Sequence, residues 1–574
     1  MSDLKRYYDE EMRYLLGAGR EYAHQFPEAA QTLSIAEVED RDPYVERLFE
    51  NFAFLSARLR QSLDNQDDSM AGQLLDQAAP GLESPLPSIS VIEFVPSPDT
   101  SETGRLLPRG AQVQTLHLSG LKNPSRFQTT RDMAIHPLRI DRFQIGTSSD
   151  GQACLDLHLS CIDAVGPVRW PSSLEIFLSS EPATAWTLRH WLVRKVRRIE
   201  VQANGQILSE NLTFSPVAEA TGYSLEQAES SQPLLDLRDF FCADERFRFA
   251  ALRGLDTLVP AGTKAIRIRV QFDQPLPSVL TRGIDSSSAH LNSVPVVNAF
   301  LEPSLPHLLD PSRTDYPMLV SEDNDAEVLE IESFQGFSQS DPTLNHRYQR
   351  FSNWRHPARK APESGWYQVH RRPNRSGGVK TSLSVGHPDP EFTFSDEYLT
   401  GRLWCCDGDL PSELVKPTDL REPSAGVPTG LSPQGLARPT QVFRPPTTPD
   451  IRWKLLSHFQ RSFPDLCDLK NLQELLRLLL WDPRERKKAL IEKLASLAPS
   501  IGYELVAGVP RPITRILLTI SDESILHDSW DRIGQLDVFA HLVWKLVSIR
   551  SPQGSRLVLT MKIQPLGLEL EHAG

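Results

Sequence analysis

The sequence predicts a multidomain α+β protein with an N-terminal helical region, β-rich middle domains and a C-terminal α+β domain. In the first 80 residues, apolar side chains recur at three- and four-residue steps, which is typical of helices. From about residue 85, short β-type runs alternate with clusters of Pro, Gly, Asn and Ser, which is typical of antiparallel strands. After residue 450, helical and strand-like runs occur together again. A chain of 574 residues is long enough for several such domains.

These changes along the chain predict five segments. They are a helical region over 1–84, a β-rich domain over 85–290 with a helix near 183–195, a second β-rich region over 291–410, a proline-rich linker over 411–450, and a C-terminal α+β domain over 451–574. The linker is predicted because prolines recur from Pro411 to Pro449 without apolar periodicity.

Composition excludes several classes of function. The chain has 61 basic and 74 acidic residues, a net charge of −13, whereas nucleic-acid binding needs a basic surface. No uncharged apolar run reaches the roughly 18 residues of a membrane span, so we expect no membrane insertion. Six scattered cysteines without C-x-x-C spacing, and acids where a secretory signal would be apolar, indicate a cytoplasmic protein with reduced thiols.

The second predicted helix carries the first candidate site. Asp42 is its expected N-cap and Pro43 its first residue, and the helix should continue to about Asp64. Its apolar residues on one side are Val45, Leu48, Phe49, Phe52, Leu55, Leu59 and Leu63. Phe54 lies off that side, so the helix should pack among other helices. Either it is an ordinary core helix, or Leu48, Phe49, Phe52, Leu55 and Leu59 belong to an intermolecular bundle.

The second candidate site is a basic, aromatic stretch from His346 to Arg375. It holds eight Arg and Lys residues against one acid, Glu363. Arginine interleaved with Trp and Tyr suits protein interfaces as well as base stacking, and the stretch could also be a solvated loop. Because the whole chain is acidic, we favour a protein interface. The candidate contact residues are Trp354, Arg355, Arg359, Trp366, Arg371 and Arg372.

No catalytic, cofactor or metal motif is complete. The chain has no G-x-S-x-G, and the segment 376–381 lacks the glycine spacing of a phosphate loop. Four histidines between His346 and His387, with Cys405 and Cys406 after them, lack the tight pairing of structural zinc sites. The sequence therefore predicts a protein that is not an enzyme and has no cofactor.

Several segments together resemble the TssF family, baseplate subunits of the bacterial type VI secretion system. The similar segments, in the family's order, are 7–33, 42–64, 74–94, 125–138, 289–300 (AHLNSVPVVNAF), 438–446 and 453–460 (WKLLSHFQ). The chain departs from the family pattern at Ser293, where members often carry cysteine, and at 404–411 (WCCDGDLP). The last 60 residues match only loosely.

The resemblance implies a structural baseplate wedge component. Such a subunit would assemble with TssG, a second TssF copy, TssK and TssE around the VgrG hub, and could contact neighbouring wedges. The platform would support tube and sheath polymerisation for effector secretion, in the cytoplasm and docked at the inner membrane through partners. The alternatives are a wedge protein of a related phage-tail-like contractile machine and, less favoured, a cytoplasmic β-domain hydrolase.

Overall fold

The computed structural model describes most of the chain. The described residues are 2–28, 43–98, 104–148, 151–162, 169–208, 212–217, 231–310, 313–321, 326–338, 345–351, 365–374, 377–387, 397–446, 448–482, 485–506, 509–525, 529–551 and 554–573. They fall into two compact units, Met1–Leu75 with Thr447–Leu456, and Asp76–Pro446 with Ser457–Gly574.

The helices are concentrated at the two ends of the chain. The α-helices are α1 Ser2–Gln25, α2 Pro43–Ala78, α3 Pro182–Arg194, α4 Gln232–Cys242, α5 Leu255–Leu258, α6 Ser278–Gly283, α7 Leu410–Leu414, α8 Pro449–Phe459, α9 Phe463–Leu466, α10 Leu469–Leu479, α11 Glu485–Glu492 and α12 Trp530–Ser548. Short 3-10 helices cover Asp244–Phe247 and Pro417–Asp419. Among the described residues, no helix combines the length and the apolar character that crossing a membrane requires.

The strands lie between residues 89 and 573. The first fifteen are β1 Ile89–Pro96, β2 Arg105–Leu107, β3 Gln112–Thr115, β4 Arg126–Thr129, β5 Met133–Ile135, β6 Leu138–Thr147, β7 Ala153–Cys161, β8 Ser173–Leu178, β9 Val196–Ala203, β10 Gln206–Leu208, β11 Thr213–Pro216, β12 Phe249–Arg253, β13 Ala265–Phe272, β14 Ala289–His290 and β15 Ser293–Val297. The others are β16 Phe300–Pro303, β17 His307–Leu308, β18 Tyr316–Pro317, β19 Glu327–Ser338, β20 Asn345–Arg350, β21 Trp366–Pro373, β22 Val379–Gly386, β23 Glu397–Cys406, β24 Leu420–Pro423, β25 Leu431–Gly435, β26 Leu494–Val506, β27 Val509–Ser521, β28 Arg556–Gln564 and β29 Leu568–Ala573. The predicted α+β class, with a helical start, a β-rich middle and an α+β end, is confirmed.

The smaller unit pairs α1 with α2. The Tyr7 hydroxyl donates to Asp64 Oδ2 at 2.6 Å, and Arg60 forms ion pairs with Glu10 at 3.5 Å and Glu11 at 3.1 Å. Helix α2 continues well past the predicted end near Asp64, to Ala78.

The larger unit is built from several sheets, mostly antiparallel. A six-stranded sheet has the order β24-β3-β4-β15-β1-β25, a five-stranded sheet β10-β9-β13-β7-β6, and a four-stranded sheet β11-β12-β8-β14. A further sheet runs β16-β23-β19-β20-β21-β22-β18, with β17 beside β23. The C-terminal sheet has the order β26-β27-β28-β29, in which β27 and β28 are parallel. The five- and four-stranded sheets share one apolar core with α3.

The predicted proline-rich linker over 411–450 is wrong. Strand β24 pairs with β3, and β25 pairs with β1, so both belong to the six-stranded sheet. Leu420 and Leu431 are buried in the core of this sheet. Edge strands tolerate proline because one side of the strand makes no hydrogen bonds within the sheet. Short edge strands are therefore hard to recognise in a proline-rich sequence.

The segment 289–300, which carries part of the family resemblance, joins two sheets. Strand β15 lies inside the six-stranded sheet, whereas β16 pairs with β23 of the sheet that contains β19. Asn298 lies between them and is fully buried, and its Nδ2 donates to the Arg126 carbonyl at 2.9 Å and to Asp407 Oδ2 at 2.8 Å. The Asp407 amide donates back to Asn298 Oδ1 at 2.8 Å. The motif therefore has a structural role, since it fixes the crossing between two sheets.

The C-terminal helix α12 packs closely against α3. Gly534 makes this approach possible, because a Cβ at that position would lie 2.4 Å from the Trp186 carbonyl oxygen. Next to this contact, the buried Asp537 accepts hydrogen bonds from Arg194 at 2.9 and 3.1 Å. Burial alone would raise the Asp537 pKa, but His190, His572 and Arg194 outweigh burial and hold the pKa well below its ordinary value.

We predict that Gly534→Ala destabilises the protein by about 1–3 kcal/mol, because the added methyl group meets the Trp186 backbone, which must then shift. This loss should outweigh the better helix propensity of alanine. The matched control is Gly17→Ala in α1, where nothing lies within 4 Å of the new Cβ. This control should gain up to about 1 kcal/mol from helix propensity. Calorimetric unfolding of the two variants measures the difference, and equal effects would contradict the close packing.

Candidate partner interface

One side of α2 is an apolar stripe with no cover in the described chain. The exposed fractions are 71% for Leu48, 58% for Phe52, 59% for Leu55, 66% for Leu59 and 61% for Leu63. From Leu48 to Leu63 the stripe runs for roughly 22 Å along the helix. We call these five residues the helix stripe. Apolar patches of this kind on soluble proteins mark binding surfaces.

The buried side of α2 is roughly opposite the helix stripe. It carries Ala53 and Ala57, both fully buried, and Phe49 is half-buried between the two sides. Among the described residues, α2 therefore does not bury Leu48, Phe52, Leu55 and Leu59 as an ordinary core helix would. Periodicity shows which residues share a side of a helix, but the small residues, and not the large ones, lie on the inward side here. Phe54, which lies off the stripe, is also 43% exposed.

The basic, aromatic stretch is only partly described. Trp354, Arg355 and Arg359 lie outside the described residues. Trp366 and Arg371 are placed on β21, where Trp366 is half-buried and its ring lies 5.0 Å from that of Phe351. The stretch therefore contains most of β20 and all of β21 of the large sheet, and its described part is not a solvated loop.

Some of its arginines have partners within the chain. Arg371 Nη2 donates to the Leu329 carbonyl at 2.6 Å and its Nη1 to the Glu83 carbonyl at 3.4 Å, while Arg350 pairs with Asp76 at 2.9 Å. These bonds hold residues 76–83 to the sheet. Arg372 is 67% exposed in its side chain, with Asp315 at 3.4 Å, and is the arginine of β21 best placed for an external contact.

The titratable groups next to this strand serve packing. His346 Nδ1 contacts Glu397 Oε1 by a short hydrogen bond, and the buried Tyr348 hydroxyl donates to Glu397 Oε2 at 3.0 Å. Burial, together with the Glu397 carboxylate, raises the Tyr348 pKa far above its ordinary value. The three side chains link β20 to β23. In the part of the chain that the structure describes, no cluster of three or more His, Cys, Asp or Glu side chains is arranged to hold a metal ion.

The sequence did not indicate a third surface, the end of the hairpin formed by β26 and β27. The exposed fractions there are 80% for Ile501, 77% for Tyr503 and 74% for Leu505. The two-residue alternation of apolar side chains at 501–505 is a signal for a strand, but the composition of the preceding residues 484–497 favours a single helix over that whole segment. In the structure α11 ends at Glu492 and β26 begins at Leu494.

A multidomain α+β fold with large apolar surfaces exposed among its described residues is typical of a subunit that assembles with other proteins. The sequence profile of the Type VI secretion system TssF family matches residues 1–525, and the chain belongs to this family. Membership makes the chain a structural component of that secretion system and not an enzyme, which removes the hydrolase alternative.

Individual relatives agree with this assignment. The type VI secretion system component TssF1 of Pseudomonas aeruginosa is 25% identical over 532 residues, which cover 83% of each chain. One chain of a solved type VI secretion system TssK-TssF-TssG baseplate subcomplex has the same fold, with a TM-score of 0.74 at 21% identity over 92% of this chain and 98% of that one. A chain of a solved type VI baseplate complex aligns with a TM-score of 0.60 at 21% identity, covering 99% of this chain and 98% of that one.

We predict that Phe52→Ala changes the free energy of unfolding of the isolated chain by no more than about 0.5 kcal/mol, because most of the side chain is exposed. A fully buried phenylalanine would instead cost about 3–5 kcal/mol. Ala57→Leu on the buried side of the same helix is the control and should cost about 1–3 kcal/mol through overpacking. Thermal unfolding followed by circular dichroism compares them, and a larger loss for Phe52→Ala would show that the stripe is covered within the chain.

Proposed function

We propose that this protein is a structural wedge component of the type VI secretion baseplate, and that the helix stripe is its docking surface for TssG. Family membership supports the baseplate role. The observation that supports the docking surface is the helix stripe itself, which consists of five large apolar side chains that are all more than half exposed. A solved relative is part of a TssK-TssF-TssG subcomplex, so a TssG-type subunit is a partner available to cover the stripe.

The other proposed contacts follow the family. TssK and TssE would join the same wedge with a second copy of this chain, and six such wedges would surround a VgrG hub and contact one another. We place this assembly in the cytoplasm, docked at the inner membrane through partners. A wedge protein of a related phage-tail-like machine is the second candidate. The match to the family of the type VI secretion system favours the type VI baseplate.

Helices in bundles bury exposed stripes of this kind by interdigitating side chains. Burying one leucine contributes about 1.5–3 kcal/mol relative to leaving it in water. Several such residues along roughly 22 Å of helix can therefore supply most of the affinity of a helix-in-groove contact.

The outer part of β21 is a smaller proposed contact. Trp366 and Arg372 remain candidates, because Trp366 is only half-buried and Arg372 is exposed. Arg371 contributes to the fold through its bonds to Leu329 and Glu83, so its replacement would test stability before assembly.

We predict that Leu55→Ser with Leu59→Ser weakens binding to TssG by roughly 100-fold or more, since losing two buried leucines costs at least about 3 kcal/mol. The melting temperature of the isolated chain should stay unchanged, because both side chains are exposed. Co-purification with tagged TssG, followed by titration, measures the loss.

The control for this experiment is Ile207→Ser, which removes an apolar side chain that is 67% exposed on β10, in the other unit. It should leave TssG binding intact. Normal TssG binding by the double variant, or an equal loss of TssG affinity in the control, would contradict the assignment of the stripe to TssG.

A further inference from the structure

The five-stranded sheet β10-β9-β13-β7-β6 has an apolar face and a polar face. Successive residues of a strand point to opposite faces of its sheet. On β13, Ile266, Ile268 and Val270 are buried in the apolar core, so Arg267 and Arg269 lie on the other face. We call this other face the outer sheet face. Both of its arginines on β13 are partly exposed, so the described chain leaves this face open to solvent.

Four arginines meet on the outer sheet face, across strands β13, β7 and β6. We call them the sheet arginines, and they are Arg139, Arg142, Arg267 and Arg269. Arg267 on β13 and Arg142 on β6 are both register partners of His158, which lies on β7 between them. Neighbouring strands are about 4.8 Å apart, so the Cα atoms of Arg142 and Arg267 are separated by about 10 Å.

The nearby carboxylates do not neutralise the sheet arginines. The buried Asp156 serves two of them, since it accepts from Arg267 Nη2 at 2.6 Å and from Arg269 Nε at 3.1 Å. Asp141 pairs with Arg139 at 2.8 Å. The fourth sheet arginine makes no ion pair with any residue that the structure describes. Four positive charges therefore face two negative ones, in a chain whose net charge is −13.

The same row of side chains has hydrogen-bond donors to offer. Arg267 Nε is buried and has no acceptor within the described parts of the chain. Burial and the neighbouring Arg267 lower the His158 pKa, so the ring is neutral at neutral pH and keeps one N–H. A buried donor without an acceptor costs free energy, which an acceptor brought by a partner would recover.

These features fit the carboxylates of a protein. The planar guanidinium group pairs with a carboxylate through two parallel bonds, and Asp156 already binds two guanidinium groups on this face. The acidic chain as a whole repels long polyanions such as nucleic acids. An excess of two charges within roughly 10 Å instead matches a short acidic segment, because screening in salt confines the attraction to about that distance.

We propose that the outer sheet face, through Arg142, His158 and Arg267, binds an acidic segment of a partner protein whose carboxylates lie about 10 Å apart. The surface belongs to the larger unit and does not use the helix stripe, so this proposal does not rest on the docking of TssG.

The test titrates the full-length chain into a fluorescein-labelled peptide of ten glutamates and follows fluorescence anisotropy. We expect saturable binding that weakens as salt is added. Arg139→Ser with Arg142→Ser should weaken binding by about fivefold, with an unchanged melting temperature, because both side chains are exposed. Gln202→Arg should tighten binding, because Gln202 is exposed and is the register partner of Arg267 on β9.

The matched control removes the same charge elsewhere. Arg253→Ser with Arg421→Ser changes two exposed arginines on β12 and β24 and should leave peptide binding unchanged. Leu55→Ser with Leu59→Ser should also bind the peptide normally, which separates this test from that of TssG docking. Absence of saturable binding, an equal loss in the arginine control, or tighter binding to phosphatidylglycerol vesicles or to a single-stranded oligonucleotide would overturn the proposal.

Chemical footprinting locates the contact. Phenylglyoxal modifies accessible arginines, and mass spectrometry reads the modification at each position. The glutamate peptide should protect Arg142 and leave Arg421 reactive. Equal protection of the two arginines, or protection of neither, would contradict binding on the outer sheet face.

Discussion

The buried Asn298 amide is the contact on which the β-rich part of the structure depends. The chain leaves one sheet at Val297 and joins another at Phe300, and the backbone between them has no strand ladder of its own. The Asn298 backbone amide donates to the Ser88 carbonyl at 2.8 Å, and the Asn298 side chain adds bonds to Arg126 and Asp407. A buried polar group without such partners would cost about 1–3 kcal/mol, so the fully bonded amide fixes one arrangement of the two sheets.

The same principle separates the internal polar groups from the surfaces that assemble. Asp537, Glu397 and Asn298 are buried, and each bonds to elements distant in the sequence, as structural groups do. The large uncovered apolar surfaces lie elsewhere, on α2 and at the end of the β26–β27 hairpin. A structural subunit needs this division, because rigid internal contacts preorganise the exposed surfaces for their partners.

The sequence predicted the class of fold, because the class depends on local periodicity, and the same periodicity places Leu48, Phe52, Leu55 and Leu59 on one side of α2. The alternating apolar residues of 264–272 predict a strand, and β13 spans Ala265–Phe272. The apolar run 294–301 predicts one strand, but it belongs to two, β15 and β16, since a local pattern cannot show that the chain passes from one sheet to another at Asn298. Burial was harder to predict: Leu48 and Phe52 have the spacing of core residues, but both are more than half exposed in the described chain. The structural role of Arg371 could not be predicted either, because its hydrogen-bond partners, the carbonyls of Leu329 and Glu83, are distant in the sequence.

The proposed docking of TssG requires that the helix stripe is open in the isolated chain and covered in the assembly. Thiol labelling of Phe52→Cys tests it directly, because five of the six natural cysteines are buried and Cys161 is partly exposed, which gives a low background. The chain alone should label rapidly at position 52, and the complex with TssG should protect that position while Ile207→Cys stays reactive. Equal labelling at position 52 in the free chain and in the complex would contradict docking of TssG on the stripe.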